Sequence, residues 1–289
     1  MAYNLSNFNT NYVKENAEQI LPDTVLAAPS LDEFTKMPDV HCETKLNIMD
    51  NSVVFQDGSA CGFNAQGSTT LSQRSLVPGT IKVNMNWCHK DLLKTVKGIK
   101  VNIRAGEEEM ADEQLLMNDI MVKIANQLEH DIWQGSIAGG QQFDGIGTIT
   151  AGITLSRTSD IVADVENVYK SIPEEQLDNA VIYMSKNNFR AYVLALGAKN
   201  LYHYDPKIDG DWTVTIPNTN TIVKGISGLK GANDIYAFNP EHMVYGFSTE
   251  DDYATAKMWY SEDNDEFRFN CQFVAGVQYA FPANMVKMS

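Results

Sequence analysis

The stretch Glu107–Trp133, EEEMADEQLLMNDIMVKIANQLEHDIW, contains no Pro, no Gly and few β-branched residues. Leu116, Ile120, Ile124, Leu128 and Ile132 recur at steps of four. Leu115, Met117, Met121 and Ala125 widen that row into a stripe, while Asn118, Asp119, Lys123, Gln127 and His130 fall largely off it. That periodicity predicts an amphipathic helix. Glu107, Glu108, Glu109 and Asp112 crowd its first turns, where the helix dipole favours negative charge, and Gly135 followed by Gly139-Gly140 ends it. At about 1.5 Å per residue such a helix spans roughly 40 Å, long enough to be the spine of a subunit.

A chain of 289 residues can build one large domain or two to three lobes. The formal charge, 22 − 37 = −15, argues against a broad basic face gripping nucleic acid. It is compatible with a container whose inner wall holds DNA loosely. No apolar run approaches the length of a membrane span, so no membrane partner is expected. MAYNLSNFNTNYVKEN lacks the basic and apolar blocks of a signal peptide, which places folding in a cytoplasm. Four cysteines (Cys42, Cys61, Cys88 and Cys271) are too few for a disulfide framework. The pairs His41-Cys42 and Cys88-His89, with Cys61 between them, raise a zinc site. No CxxC spacing favours it over free thiols, so no metal is expected.

Outward from the spine, residues 1–50 read as an arm. Thr10 or Asn11 can cap a short helix that Pro22 stops, and Ser30-Leu31-Asp32-Glu33 fits a capping box for a second. Residues 51–104 read as β-structure. Gly58, Gly62 and Gly67 lie in a polar stretch, and Pro78-Gly79 marks a turn. Ile81, Val83, Met85 and Trp87 then alternate with polar residues, as do Ile99, Val101 and Ile103. The first part suggests a long, poorly self-supported hairpin, best explained if it lies on another subunit. Residues 152–247 read as an α/β lobe. Asp160 and Asn187 are its helix caps, Gly197 stops its second helix, and short strands fall at 180–184, 212–216, 222–226 and 234–238, with Lys207–Asp211 a turn. In Glu266–Phe281, Phe267, Phe269, Cys271, Phe273, Val277, Tyr279 and Phe281 share one face, with Gly276 expected to bend or divide the strand. That aromatic face needs a long apolar partner, and the spine helix is the obvious one.

Signals of catalysis are weak. There is no GxSxG, HExxH or phosphate-binding loop, and Gly139–Gly147 follows a helix where a nucleotide loop should follow a strand, so a turn is expected. Glu129-His130 could transfer protons, but adjacent helix positions diverge by about 100°, which favours a solvated or interface pair. The acidic runs Glu107–Glu109 and Ser261–Glu266 lack calcium-loop spacing. No catalytic, cofactor or metal residues are assigned, and no enzyme is expected.

The order of parts is arm, flexible hairpin, spine helix, glycine turn, α/β lobe and returning C-terminal strand. It resembles the major capsid protein of tailed bacteriophages, the Hong Kong 97 fold. Asn126–Gly135 followed by Phe143-Asp144-Gly145-Ile146 is similar to that family's helix end, Leu-Glu … Gly … Gly-Ile/Leu. Ala180–Ser185 with the helix bearing Phe189 resembles its strand-then-helix step, and Gln278–Pro282 its closing strand. The resemblance implies an α+β fold with a 1–50 arm, a 51–104 extended loop with adjoining strands, a peripheral lobe from 105–151 and 248–289, and an axial lobe from 152–247. It implies self-assembly through pentamers and hexamers into an icosahedral shell around double-stranded DNA, assembled in the host cytoplasm and located in the virion. Implied partners are further copies of the chain, a portal, decoration proteins and a scaffolding protein, the last expected to be separate because Met1 leaves almost no room for an N-terminal scaffold. No Lys–Asn pair is identified for covalent cross-linking. An encapsulin-like nanocompartment shell, another virion component and an α/β enzyme using 152–247 are the competing readings.

Overall fold

A computed structural model describes residues 25–57, 62–63, 66–88, 112–199, 212–248, 255–264 and 266–289. The expected first helix, the strand around Ile99–Ile103, the acidic start Glu107–Glu109 and the turn Lys207–Asp211 lie outside the described residues.

Asp112–Gln134 form helix α1. Met117, Ile120, Ile124, Ala125, Leu128 and Ile132 are buried, and Asn118, Asp119, Lys123 and Gln127 are exposed, so the apolar stripe faces the core as its period requires. The helix ends where Gly135 donates its amide to Asp131 O at 2.8 Å. A Cβ on Gly135 would lie 2.3 Å from that oxygen and 2.8 Å from Phe143 O, a closeness only glycine permits. The segment 135–148 is a turn, as expected. Gly140 takes φ +93°, Asp144 Oδ1 accepts from the Ile137 amide at 2.9 Å, and Phe143 and Ile146 plug back into the core.

α1 shares its core with a five-stranded sheet. The central strand is β12 (Glu266–Tyr279). β4 (Gly79–Cys88) runs antiparallel along one of its edges, from Cys88↔Glu266 to Gly79↔Ala275. Along the other edge lie β11 (Thr255–Ser261) and then β10 (Met243–Ser248), with β1 (Thr35–Met37) parallel beyond β10. The period-two reading of β12 holds: Phe267, Phe269, Cys271 and Phe273 are buried, with Arg268, Asn270 and Gln272 half-buried between them. Gly276 does not divide the strand, which runs unbroken. It pairs with Gly246, and a Cβ there would come within 2.8 Å of Pro78 Cα, so the glycine serves close packing.

The second sheet has the order β5 (Ile153–Leu155), β13 (Val286–Met288), β9 (Ile235–Phe238), β6 (Val181–Ser185), β8 (Ile222–Ile226) and β7 (Thr213–Thr215). Helices α2 (Ile161–Ser171) and α3 (Lys186–Ala198) share its core, through Val165 and Val168 on one and Phe189, Tyr192 and Leu196 on the other. Asp160 caps α2 as expected, accepting from the Val162 amide at 3.0 Å. The cap of α3 is Ser185, not Asn187: its hydroxyl accepts from the Asn188 amide at 3.3 Å, and the helix starts directly off β6 with no loop between. It also runs past Gly197 to Ala198.

The strand pairing divides the chain differently from the segments 152–247 and 248–289 at two places. β10, inside the first segment, pairs in the α1 sheet, and β13, inside the second, pairs in the other. β13 is three residues long, too short to show a period. β10 is buried at nearly every position, so neither carries an alternation that could have assigned it.

Candidate assembly surface

β2 (Thr44–Ser52) and β3 (Ser68–Leu76) form a two-stranded antiparallel sheet that, among the described residues, pairs with no other strand. Each strand has nine residues, which at about 3.4 Å per residue makes an arm roughly 30 Å long. The hairpin expected after residue 50 thus opens earlier, at Thr44, within the segment assigned to the arm. Leu46 and Ile48 alternate with Lys45, Asn47 and Met49, a strand pattern that the polar surroundings hide.

One face of this hairpin is a ladder of polar cross-strand pairs. Lys45 Nζ donates to Ser75 Oγ, Gln73 Nε2 to Asn47 Oδ1 at 2.9 Å, and Thr69 Oγ1 to Asn51 Oδ1 at 2.8 Å. Such pairs fix register without a core. Into the middle of the ladder falls an apolar pair, Met49 opposite Leu71, 63% and 75% exposed. Further out, Phe55 and Phe63 are both 97% exposed, and Val53 is exposed with them. A two-stranded ribbon cannot bury these groups by itself, and so many exposed apolar side chains on one appendage mark a contact surface.

The root of the hairpin is fixed. Leu76 is fully buried, and a Cβ on Gly246 would lie 2.5 Å from Leu76 Cδ2 and 3.2 Å from Val40 Cγ2. Gln278 Nε2 donates to Ser75 O at 2.9 Å.

Beneath α1 lies a concavity of about 240 Å³, lined by Ile81 and Val83 of β4, Ile120, Ile124 and Leu128 of α1, and Phe273 of β12. The aromatic face of β12 therefore meets the spine helix as expected.

The residues considered for chemistry are scattered. Cys42 and Cys88 are exposed free thiols, and Cys61 and His89 lie outside the described residues. Among the described residues no three His, Cys, Asp or Glu side chains gather as a metal site would need. Burial pushes the Cys271 thiol up to about 12, so it stays protonated and inert.

Glu129 and His130 part company. His130 Nδ1 lies 3.2 Å from Asp131 Oδ1, whereas Glu129 is 1% exposed, which corrects its reading as a solvated or interface residue. It faces inward because, four residues before Trp133, it stays on the apolar stripe of α1. Ser30 donates its amide to Glu129 Oε2 at 3.1 Å and its hydroxyl to Oε1 at 2.6 Å. Trp133 Nε1 donates to the same hydroxyl at 2.8 Å. Burial raises the Glu129 carboxyl above its usual range, against the Ser30 donors and the more distant Lys224 ammonium, which pull it down. Ser30 is thus no member of a capping box. Pro29–Asp32 make one 3₁₀ turn with no side-chain cap, and β1 follows at once. Glu33 binds Lys224 Nζ at 2.6 Å and Tyr183 Oη at 2.5 Å instead of capping. A capping box needs only local residues, and here partners 99 to 191 residues away took both side chains.

No family model and no curated protein matches the sequence. Solved structures match nearly its whole length. A chain of the Gordonia phage Cozz structure aligns at TM-score 0.62 with 12% identity, over 91% of this chain and 86% of that one. A chain of the satellite phage P4 procapsid, a structure that includes the size determination protein Sid, aligns at 0.62 with 8% identity, over 94% and 90%. The virus-like particle from Pyrococcus furiosus aligns at 0.55 with 12% identity, over 95% and 98%. The chain has the Hong Kong 97-like capsid fold. In that fold the order read from the sequence, with hairpin, spine helix, α/β lobe and returning strand, is the order observed. The Met49–Leu71 pair and the tip residues Phe55 and Phe63 escaped the sequence reading. Their signal, isolated apolar residues in a polar ribbon, is visible only once the ribbon is known to be unpaired.

Proposed function

We propose that this chain is a major capsid protein that self-assembles through pentamers and hexamers into an icosahedral shell enclosing double-stranded DNA, with the virion as its destination and no enzymatic activity of its own. The observation that carries this is the β2–β3 hairpin: anchored at Leu76, paired with no further strand among the described residues and apolar at Met49, Leu71, Phe55 and Phe63. It is the contact surface that a Hong Kong 97-like subunit lays on a neighbour. In this reading the sheet around β12 with α1 is the peripheral lobe, the α2–α3 sheet is the axial lobe at the symmetry centres, and the segment before β2 is the arm. Each contact is weak alone and strong when repeated around a closed shell. A chain with net charge −15 is suited to touch DNA without sequence preference or tight grip. Portal, scaffolding and decoration proteins are the partners this role requires.

Electron microscopy of the purified chain over a concentration series tests the proposal. Closed shells or rings of five and six are expected. A uniform monomer or dimer at every concentration, with crowding agents present, overturns it. The alternative, a nanocompartment shell, draws on the virus-like particle match. Shell contents separate the two: nucleic acid for the capsid, a cargo protein for the compartment.

A further inference from the structure

The period of two gives the five-stranded sheet a second face, turned away from α1. The hairpin root covers one end of it, where Pro78 closes on Gly276 and Leu76 on Gly246. The other end is open. There β12 presents Arg268, Asn270 and Gln272 between its buried aromatic residues. In register, Lys82 of β4 lies opposite Gln272, and Lys257 and Trp259 of β11 lie opposite Asn270 and Arg268. Both lysines are exposed, and Trp259 is 41% exposed.

A wet outer face is ordinary for an antiparallel sheet. The sign of this one is not. The chain has 37 acidic residues against 22 basic ones, yet the open rows carry the cations Lys82, Lys257 and Arg268 against the single carboxylate of Glu266. Glu266 is already engaged: Asn86 Nδ2 donates to its Oε2 at 3.2 Å, and Arg268 Nε lies 3.8 Å from the same oxygen. Among the described residues Lys82 and Lys257 have no ion-pair partner, and the Gln272 amide has no hydrogen-bond partner. Sheet neighbours lie about 5 Å apart across strands and about 7 Å apart along one face of a strand, so the three cations fall within roughly 15 Å of one another. Cations spread over a flat face match an extended polyanion. An acidic peptide would answer the charge alone. A sugar–phosphate backbone also offers acceptor oxygens to Gln272 and a flat ring to pack on Trp259.

We propose that this open sheet face is a nucleic-acid contact, with Lys82, Lys257 and Arg268 on the phosphates, Gln272 donating to a backbone oxygen and Trp259 against a sugar. The inference rests on the capsid reading for the source of the nucleic acid, and it names the surface that meets it. The contact is loose, because three cations work against a chain of net charge −15. It is indifferent to sequence, because phosphate and sugar contacts carry no direct base information.

Fluorescence anisotropy of a labelled DNA duplex, titrated with the full-length chain at concentrations where it stays unassembled, tests the proposal. Shells are not needed for this measurement, so its failure and the failure of the capsid reading are distinguishable. Neutralising three phosphates predicts binding about fortyfold weaker at roughly 0.2 M than at roughly 0.05 M salt. In the double variant Lys82→Gln, Lys257→Gln that fall is expected to shrink to about fourfold, with binding at the lower salt at least about tenfold weaker than wild type. The control Lys123→Gln, Lys170→Gln removes two exposed helix lysines and makes the same change in net charge. It is expected to bind as wild type does. Polyglutamate at equal charge concentration is expected to displace the labelled duplex severalfold less well than unlabelled duplex. No binding at the lower salt overturns the proposal, and so does a double variant that binds like wild type or no worse than the control. Equal displacement by polyglutamate overturns it as well, since the face would then suit an acidic protein segment.

Discussion

Asp164 is fully buried on α2, and the hydrogen bonds its side chain accepts come from earlier in the chain. Its carboxylate accepts from Arg157 Nε at 3.1 Å, from the Thr158 amide at 2.8 Å and from the Thr158 hydroxyl at 2.7 Å. Arg157 then donates to Asn233 O at 2.6 Å, tying the entry of α2 to the loop before β9. Replacing Asp164 with Ala strands the Thr158 donors and the half-buried Arg157 charge, and should cost about 3 kcal/mol, checked by the urea unfolding midpoint. A loss under about 0.5 kcal/mol, the level of an ordinary surface substitution, contradicts this account. Gly79 is the steric counterpart. A Cβ there would sit 2.0 Å from Gln142 O, because β4 begins where the post-helix turn crosses it. Gly79→Ala should therefore destabilise by about 1–3 kcal/mol through displacement of backbone. The turn at Pro78-Gly79 is readable from sequence; the identity of what presses on it is not, because Gln142 lies 63 residues away.

Elements were legible where one face is buried and the other wet. α1 and β12 announced themselves by periods of about 3.6 and 2, and their mutual packing followed from having two long apolar faces and few candidates to cover them. Three kinds of element hid. β10 is buried at nearly every position, β13 is too short, and β2 lies in a ribbon stabilised by side-chain pairs such as Asn47–Gln73, where no hydrophobic alternation is demanded. The hairpin that carries the functional reading was expected from the sequence, but its first strand was placed after residue 50 and not at Thr44–Ser52. Its Met49–Leu71 pair gives the test at this scale. The double substitution Met49→Asp, Leu71→Asp lies on an exposed face and should leave subunit stability within about 0.5 kcal/mol of wild type. Shell yield, by sedimentation or microscopy, should fall at least tenfold, since each lost contact is repeated at every subunit. Wild-type shell yield from the double variant removes the hairpin's central pair from the interface, and an unfolded subunit contradicts the picture of a ribbon whose anchor is Leu76.

At the scale of the whole molecule the deciding quantity is net charge. The chain carries a formal −15 at pH 7, with a sequence pI near 4.7, so bringing copies together in the proposed shell would concentrate like charge along the seams. In the proposed shell the attraction at the hairpin is apolar and would change little with modest salt. The repulsion is Coulombic, with a screening length of about 30 Å at 0.01 M salt and about 8 Å at 0.15 M. Raising salt over that range therefore weakens the opposing term while leaving the apolar contacts in place. The expected outcome is a lower subunit concentration at which light scattering first reports assembly at 0.15 M than at 0.01 M salt. A threshold that rises with salt would mean that complementary charges hold the seams, and the hairpin would lose its place as the main contact. The same titration run on the Met49→Asp, Leu71→Asp variant separates the two terms. Its threshold should stay high at both salts, because screening removes repulsion but supplies none of the apolar attraction that the substitutions delete.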